Sequence, residues 1–268
     1  MNSGVGKIPF VKASACGNDF LLIDYSDAPS AFPIQTFTQK ICDRHEGVGA
    51  DGVEWMLPHA SADVEIRLIN ADGSEAEISG NGTRCVAAYF CSERDKEKVR
   101  IQTGAGLKTC VLTSRGDVEY EFEIEMGKPV VERELVLKTR RGEVRGIPVS
   151  MGNPHYVIFV EEFSQGWQGH AEEIQRDSHF TQGVNVEFVI IDSAHDVRAR
   201  FFERGAGETK SSGTGSSALA TAAMASGRAL SPVNVHAPGG TQTVRLEGTD
   251  VFLRGPARLL CRGEFFVS

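Results

Sequence analysis

Two short segments hold the residues with the clearest potential for chemistry. Ser79-Gly80-Asn81-Gly82-Thr83 and Ser212-Gly213-Thr214-Gly215-Ser216 each set a serine ahead of a Gly-x-Gly turn that runs into an apolar, helix-like stretch. Glycine lets a backbone approach a ligand closely, and the first-turn amides of a helix have no partner within it, so such a junction is suited to hold an anion. Two junctions aimed at one point would fix a carboxylate and favour negative charge developing beside it. That suits a reaction in which the proton α to a carboxylate leaves on one face and returns on the other, with Ser79 and Ser212 flanking the α-carbon. Taken singly, each segment reads as an ordinary turn with Thr83 or Ser216 as the helix cap. Their pairing favours the ligand site.

Around these segments lie loop residues able to hold a polar substrate: Asn18, Asn70, Asn81, Asn153, His155, Asn185, Glu203 and Arg204. Glu203-Arg204 is the most informative of them. A carboxylate beside a guanidinium can recognise the ammonium and carboxylate of a zwitterion, although the same dipeptide also serves as a structural ion pair.

The elements that must position these groups come in two copies. At an offset of 133, Glu75 aligns with Glu208, Ser79 with Ser212, Gly80 with Gly213, Gly82 with Gly215 and Ala87 with Ala220; at 135, Gly17-Asn18 aligns with Gly152-Asn153. Both offsets are close to half of the 268 residues, so a duplicated domain is expected. Short apolar or alternating runs predict strands at 20–24, 64–69, 99–103, 109–113, 118–125, 156–160, 187–191, 197–202, 244–247 and 251–254. Helices are expected at 35–42, 83–92, 171–176 and 216–227, the second and fourth apolar enough to be buried. The expected fold is α+β: two pseudo-symmetric domains, each a curved, mostly antiparallel sheet wrapped round a central apolar helix. The first would take residues 1–121 plus 259–268 and the second 122–258, with an active-site cleft between them.

Composition narrows the function classes. Lys and Arg (28) fall short of Asp and Glu (36), giving a net charge of −8, and no run of basic residues offers a surface for nucleic acid or anionic lipid. No apolar run approaches the roughly 20 residues of a membrane span, and the first ten residues lack a leader's hydrophobic stretch, so a cytoplasmic location is expected. The six cysteines, Cys16, Cys42, Cys85, Cys91, Cys110 and Cys261, are scattered without metal-ligand spacing and are expected to be reduced and mostly buried. No metal, nucleotide or pyridoxal site is indicated.

These motifs resemble the diaminopimelate epimerase family, cofactor-independent amino-acid epimerases of lysine biosynthesis. The matching stretches are Gly-Asn-Asp-Phe (17–20), Gly-Val-Gly-Ala-Asp-Gly (47–52), Asn-Ala-Asp-Gly-Ser-Glu (70–75), Gly-Asn-Gly-Thr-Arg-Cys (80–85), Met-Gly-Asn-Pro-His (151–155), Gly-Val-Asn (183–185), Glu-Arg-Gly-Ala-Gly-Glu-Thr (203–209) and Gly-Thr-Gly (213–215). The resemblance implies a two-domain enzyme, often a homodimer, that interconverts LL- and meso-diaminopimelate without a cofactor. It implies that Asn18, Asn70, Asn153, Asn185, Glu203 and Arg204 hold the substrate and that the backbone at Gly80-Asn81 and Gly213-Thr214 binds the reacting carboxylate. His155 and Gly52, whose position can carry glutamine in the family, are candidates for support.

The departure falls at the centre. The family's thiolate base and thiol acid are cysteines at the positions of Ser79 and Ser212. Cys85 matches a family cysteine that is not catalytic, and Cys16, beside Asn18, is a weak substitute. A thiol ionises near ~8.5 whereas a hydroxyl lies ~7 units higher if water's ~15.7 is the guide, so forming the base would cost roughly 10 kcal/mol more. Unless another group activates the hydroxyls, epimerisation is expected to be slow. Two other classes remain open on sequence alone: a dehydratase or isomerase of a small carboxylate, and a ligand binder without turnover.

Overall fold

Apolar alternation builds the same succession of elements twice. The first copy comprises β1 (Gly6–Ala15), β2 (Asn18–Asp24), α1 (Ile34–Cys42), β3 (Gly52–Leu57), β4 (Val64–Asn70), β5 (Glu75–Ala76), α2 (Gly80–Glu93), β6 (Lys98–Thr103), β7 (Gly106–Arg115) and β8 (Glu119–Gly127). After β9 (Val130–Val131) and β10 (Leu135–Thr139), the second comprises β11 (Gly142–Ser150), β12 (Pro154–Phe159), α3 (Trp167–Gln175), β13 (Asn185–Ile191), β14 (Asp196–Glu203), β15 (Gly207–Thr209), α4 (Gly213–Ala225), β16 (Val233–Ala237), β17 (Gly240–Glu247) and β18 (Asp250–Val267). The computed structural model describes residues 6–29 and 32–267; Met1–Val5, half of the stretch inspected for a leader, fall outside.

The chain forms two units, Met1–Ile124 with Pro256–Ser268 and Glu125–Gly255. In the first, β1 lies antiparallel to β2 and to the end of β18, β2 runs parallel to β3, and β3 is antiparallel to β4 with Glu54 opposite Leu68. From β4 a parallel step leads to β6, and β7 and β8 continue antiparallel. The second repeats this order: β11 antiparallel to β12, β12 parallel to β13, β13 antiparallel to β14 with Glu187 opposite Phe201, β14 parallel to β16, then β17 and the start of β18 antiparallel. The parallel steps occur where a helix supplies the crossover that parallel neighbours require.

Strand alternation decides which helix each face receives. On β3, Val53 and Trp55 pack with Phe37 and Ile41 of α1, and the Trp55 indole donates to Thr38 Oγ1 at 3.1 Å. Gly52, Glu54 and Met56 therefore point to the other face, toward α2. On β13, Val186 and Phe188 join Trp167 and Ile174 of α3, while Val189 packs with Ala218, Leu219 and Ala222 of α4, so Glu187 points toward α4. Both central helices are buried along most of their length, as expected from their composition.

Cys16, Cys42, Cys85, Cys91 and Cys110 are buried and Cys261 exposed, all as free thiols. Among the described residues, no helix is long and apolar enough to cross a membrane and no cluster of metal-ligating side chains occurs.

Candidate active site

The helices begin earlier than the sequence suggested. Ser79 and Ser212 are themselves the caps, and Gly-x-Gly forms the first helical turn rather than a turn before it. The correction has a local cause. Each serine adopts extended backbone angles (φ −122°, ψ 120° and φ −139°, ψ 130°) and its Oγ accepts from the amide three residues on, Gly82 or Gly215, at 3.1 Å. Thr83 and Ser216 instead donate the first backbone bonds of the helices, to the carbonyls of Ser79 and Ser212. The amides of Gly80 and Asn81, and of Gly213 and Thr214, stand ahead of those bonds, where a helix end presents donors and positive potential to an anion.

In the N-terminal unit, two of the expected polar residues, Asn18 and Asn81, are linked. Cys16-Gly17 forms the two-residue turn joining β1 to β2, both with positive φ (50° and 75°), which suits the twist of a tight hairpin and delivers Asn18 at the start of β2. The Asn18 amide donates to Asp51 Oδ2 at 2.5 Å, and Asn81 donates to Asn18 Oδ1 at 3.5 Å. Buried Arg84 fixes Asn81 through a bond to its Oδ1 at 2.5 Å and also donates to the Pro256 carbonyl. Asn70 ends β4, its amide turned to Ser74 Oγ at 3.0 Å. Gly52 offers no side chain, and a Cβ there would stand 2.8 Å from the Ile69 carbonyl oxygen. The Cys16 thiol is buried within 3.9 Å of Arg84, and burial, opposed by that guanidinium, pushes its pKa up, which disfavours the thiolate.

The C-terminal unit gathers more of its set. Glu203, at the end of β14, accepts the Ser212 hydroxyl at 3.0 Å on Oε2 and the Thr209 hydroxyl at 2.7 Å on Oε1. Arg204 does not pair with Glu203: its guanidinium donates to the Gln182 carbonyl at 2.8 Å, and its amide to Asn185 Oδ1 at 2.9 Å. Asn185 is further held by the Pro154 carbonyl. Asn153 donates to Thr214 Oγ1 at 3.4 Å, and its Oδ1 lies 3.0 Å from His155 Nε2. His155 Nδ1 in turn lies 2.7 Å from Glu187 Oε1, both side chains buried.

Two functional candidates escaped the sequence reading, Glu54 and Glu187. Each sits mid-strand in an apolar run, 133 residues apart, the same spacing as the serines; that coincidence was the available signal. Both are fully buried and face the first turn of a central helix. Glu54 Oε1 stands 1.8 Å, and Glu187 Oε1 3.0 Å, from where a Cβ on Gly82 or Gly215 would be. Burial pushes the Glu54 carboxyl up to about 8, and neither of its oxygens has a hydrogen-bond partner among the described residues. Burial raises Glu187 too, opposed by the charge and hydrogen bond of His155.

The sequence and structure were compared with known proteins. The family model for diaminopimelate epimerase matches residues 10–132 and 147–260. A diaminopimelate epimerase of Pelotomaculum thermopropionicum is 38% identical over 277 residues, 96% of this chain and 98% of the relative; that of Desulfitobacterium hafniense is 35% identical over 272 residues, 94% and 96%. Among solved structures, a PhzF-family phenazine biosynthesis protein of Bacillus anthracis superposes with a TM-score of 0.77 at 15% identity, covering 97% of this chain and 99% of that one. A hydroxyproline epimerase of Agrobacterium vitis gives 0.71 at 17% identity, covering 99% and 94%. At such identities the structural likeness speaks for the fold alone.

Proposed function

Since the chain belongs to the diaminopimelate epimerase family and is by that membership an isomerase of the epimerase class, we propose that it interconverts LL- and meso-diaminopimelate by moving the α-proton between the Ser79 and Ser212 half-sites. The observation that carries this reading is the pair of serine-capped helices at equivalent places in the two units, one with its hydroxyl already bonded to a carboxylate. The two half-sites serve one substrate, whose carboxylate takes the amides of Gly80-Asn81 and Gly213-Thr214. Asn18, Asn70, Asn153, Asn185 and Arg204 hold its distal polar groups.

The chemistry follows from the hydrogen bonds. Ser212 Oγ takes the α-proton while its own proton passes to Glu203 Oε2. The C–H electron pair stays on the α-carbon and spreads into the carboxylate, where the helix amides stabilise it. Return of a proton from the Ser79 hydroxyl on the opposite face completes the inversion. Glu203 thus supplies on one side the activation that a thiolate supplies in a dicysteine enzyme, which lowers the cost of using a hydroxyl.

The test is α-proton exchange followed by NMR with LL-diaminopimelate in deuterated buffer. Deuterium entering above the buffer rate with inverted configuration supports the reading. Ligand-induced shifts without exchange would instead make the protein a binder.

A further inference from the structure

We propose that Glu54 is the proton store of the N-terminal half-site: a buried carboxyl beneath the first turn of α2 that acts through Ser79, giving its proton to Ser79 Oγ as the Ser79 hydroxyl protonates the α-carbon, and recovering it in the reverse direction. The inference rests on the epimerase reading and assigns a positioning residue within it.

A fully buried carboxyl whose two oxygens both lack a partner needs a reason to exist, because burying a polar group without hydrogen bonds is costly. Internal symmetry shows how unusual it is. In the C-terminal unit His155 answers Glu187; the position on β2 equivalent to His155 is Phe20, so the N-terminal unit has no imidazole for Glu54. The register neighbours of Glu54 are Leu22 on β2 and Leu68 on β4, neither of which is polar. On the N-terminal turns of α2 the titratable groups are Cys85, itself buried and raised, and Arg84, which is engaged by Asn81, the Pro256 carbonyl and the Cys16 thiol; Tyr89, Cys91 and Glu93 lie further along the helix.

What Glu54 does approach is the cap. The space beside the Gly82 Cα is bordered by Glu54 Oε1 at 1.8 Å and by Ser79 Cβ at 3.3 Å from the same point, so the carboxyl and the capping serine converge on one side of the helix's first turn. Ser79 Oγ accepts from the Gly82 amide, and its hydroxyl proton, unlike that of Ser212, is bonded to no carboxylate among the described residues. Burial keeps Glu54 largely protonated at neutral pH, which matches an acid. Proton and electron counts close: the O–H of Ser79 breaks as the C–H forms on the carbanion, and the O–H of Glu54 breaks as the Ser79 O–H is restored, leaving a Glu54 carboxylate. Solvent or the reverse reaction reloads it. The two halves are thus unlike at rest, with Ser212–Glu203 arranged as base and Ser79–Glu54 as acid.

The test compares the wild type with Glu54→Gln and Glu54→Asp, following exchange and inversion separately by NMR for the LL and meso isomers from about pH 6 to about 10. Glu54→Gln is expected to lower inversion by about 10²-fold, leave KM within about twofold, and remove the pH limb that Glu54 sets. Exchange with retention, in which Ser212 removes and returns the proton on its own face, is expected to persist for one isomer. Glu54→Asp, which keeps the carboxyl, should recover part of the inversion. Exchange and inversion falling together, or a pH profile unchanged in Glu54→Gln, would overturn the role of Glu54 while leaving the epimerase reading intact. A wild type that neither exchanges nor inverts would overturn both.

Discussion

Ser212 Oγ donates to Glu203 Oε2 at 3.0 Å, whereas the residue that the 133-residue repeat sets against Glu203 is Asn70, whose amide is turned to Ser74. The pseudo-symmetry therefore breaks at the group that can take a proton. Replacement of the carboxylate by an amide tests this directly: Glu203→Gln is expected to lower α-proton exchange by about 10²-fold, since a positioned general base contributes on that scale. Exchange rates by NMR, with thermal unfolding to confirm a folded protein, provide the measurement.

Restoring thiols should raise turnover. Ser79→Cys with Ser212→Cys exchanges two hydroxyls for groups that ionise near ~8.5, and a gain in epimerisation of at least about 10²-fold is expected. An unchanged rate in a folded double variant would mean that the rest of the site is not arranged for epimerisation.

Glu54 also makes stability depend on pH. Its carboxyl is pushed by burial from the ordinary 4.5 up to about 8, so the folded chain keeps a proton that the unfolded chain has released. The stabilisation from that proton is complete below about 4.5 and is lost as pH rises through about 8. Relative to Glu54→Gln, the wild type should therefore lose unfolding free energy across that window, each unit of displacement being worth about 1.4 kcal/mol. Urea midpoints of both proteins at the two ends of the window would reveal it; parallel curves would contradict it.

Gly82 is glycine because of what faces it. With Glu54 Oε1 only 1.8 Å from a Cβ there, Gly82→Ala is expected to cost about 1–3 kcal/mol. Adding Glu54→Ala should return most of that, a coupling above about 0.5 kcal/mol in a double-mutant cycle of chemical denaturation. Additive losses would place the strain elsewhere.

The repeat made both serines, both central helices and the polar residues near them legible from the chain. What it hid was decided by tertiary context. β3 was not anticipated because Gly52 and Glu54 interrupt its apolar run, and both are there for the α2 side of the strand. β11 carries Gly146 and Pro148; a Cβ on Gly146 would stand 2.5 Å from the Tyr156 ring, so packing rather than propensity selects that residue. β18 was expected only over residues 251–254, since Gly255-Pro256 reads as a break, yet the strand continues to Val267 by pairing with β1. The Glu203-Arg204 dipeptide was legible as chemistry but not as geometry, because β14 ends at Glu203 and Arg204 opens the turn after it, its guanidinium taken by the Gln182 carbonyl.

The order of segments in the two units has a consequence for how the protein is made. The N-terminal unit is closed by Pro256–Ser268, which is encoded after the whole of the contiguous Glu125–Gly255. During synthesis the later-encoded unit can finish first, and the side of β1 that does not face β2 stays open from Gly6 to Ser14 until its partner, Arg258–Val267, emerges. An unfinished edge of that length is open to pairing with other chains, so truncations ahead of Pro256 are expected to leave aggregates, not a working half.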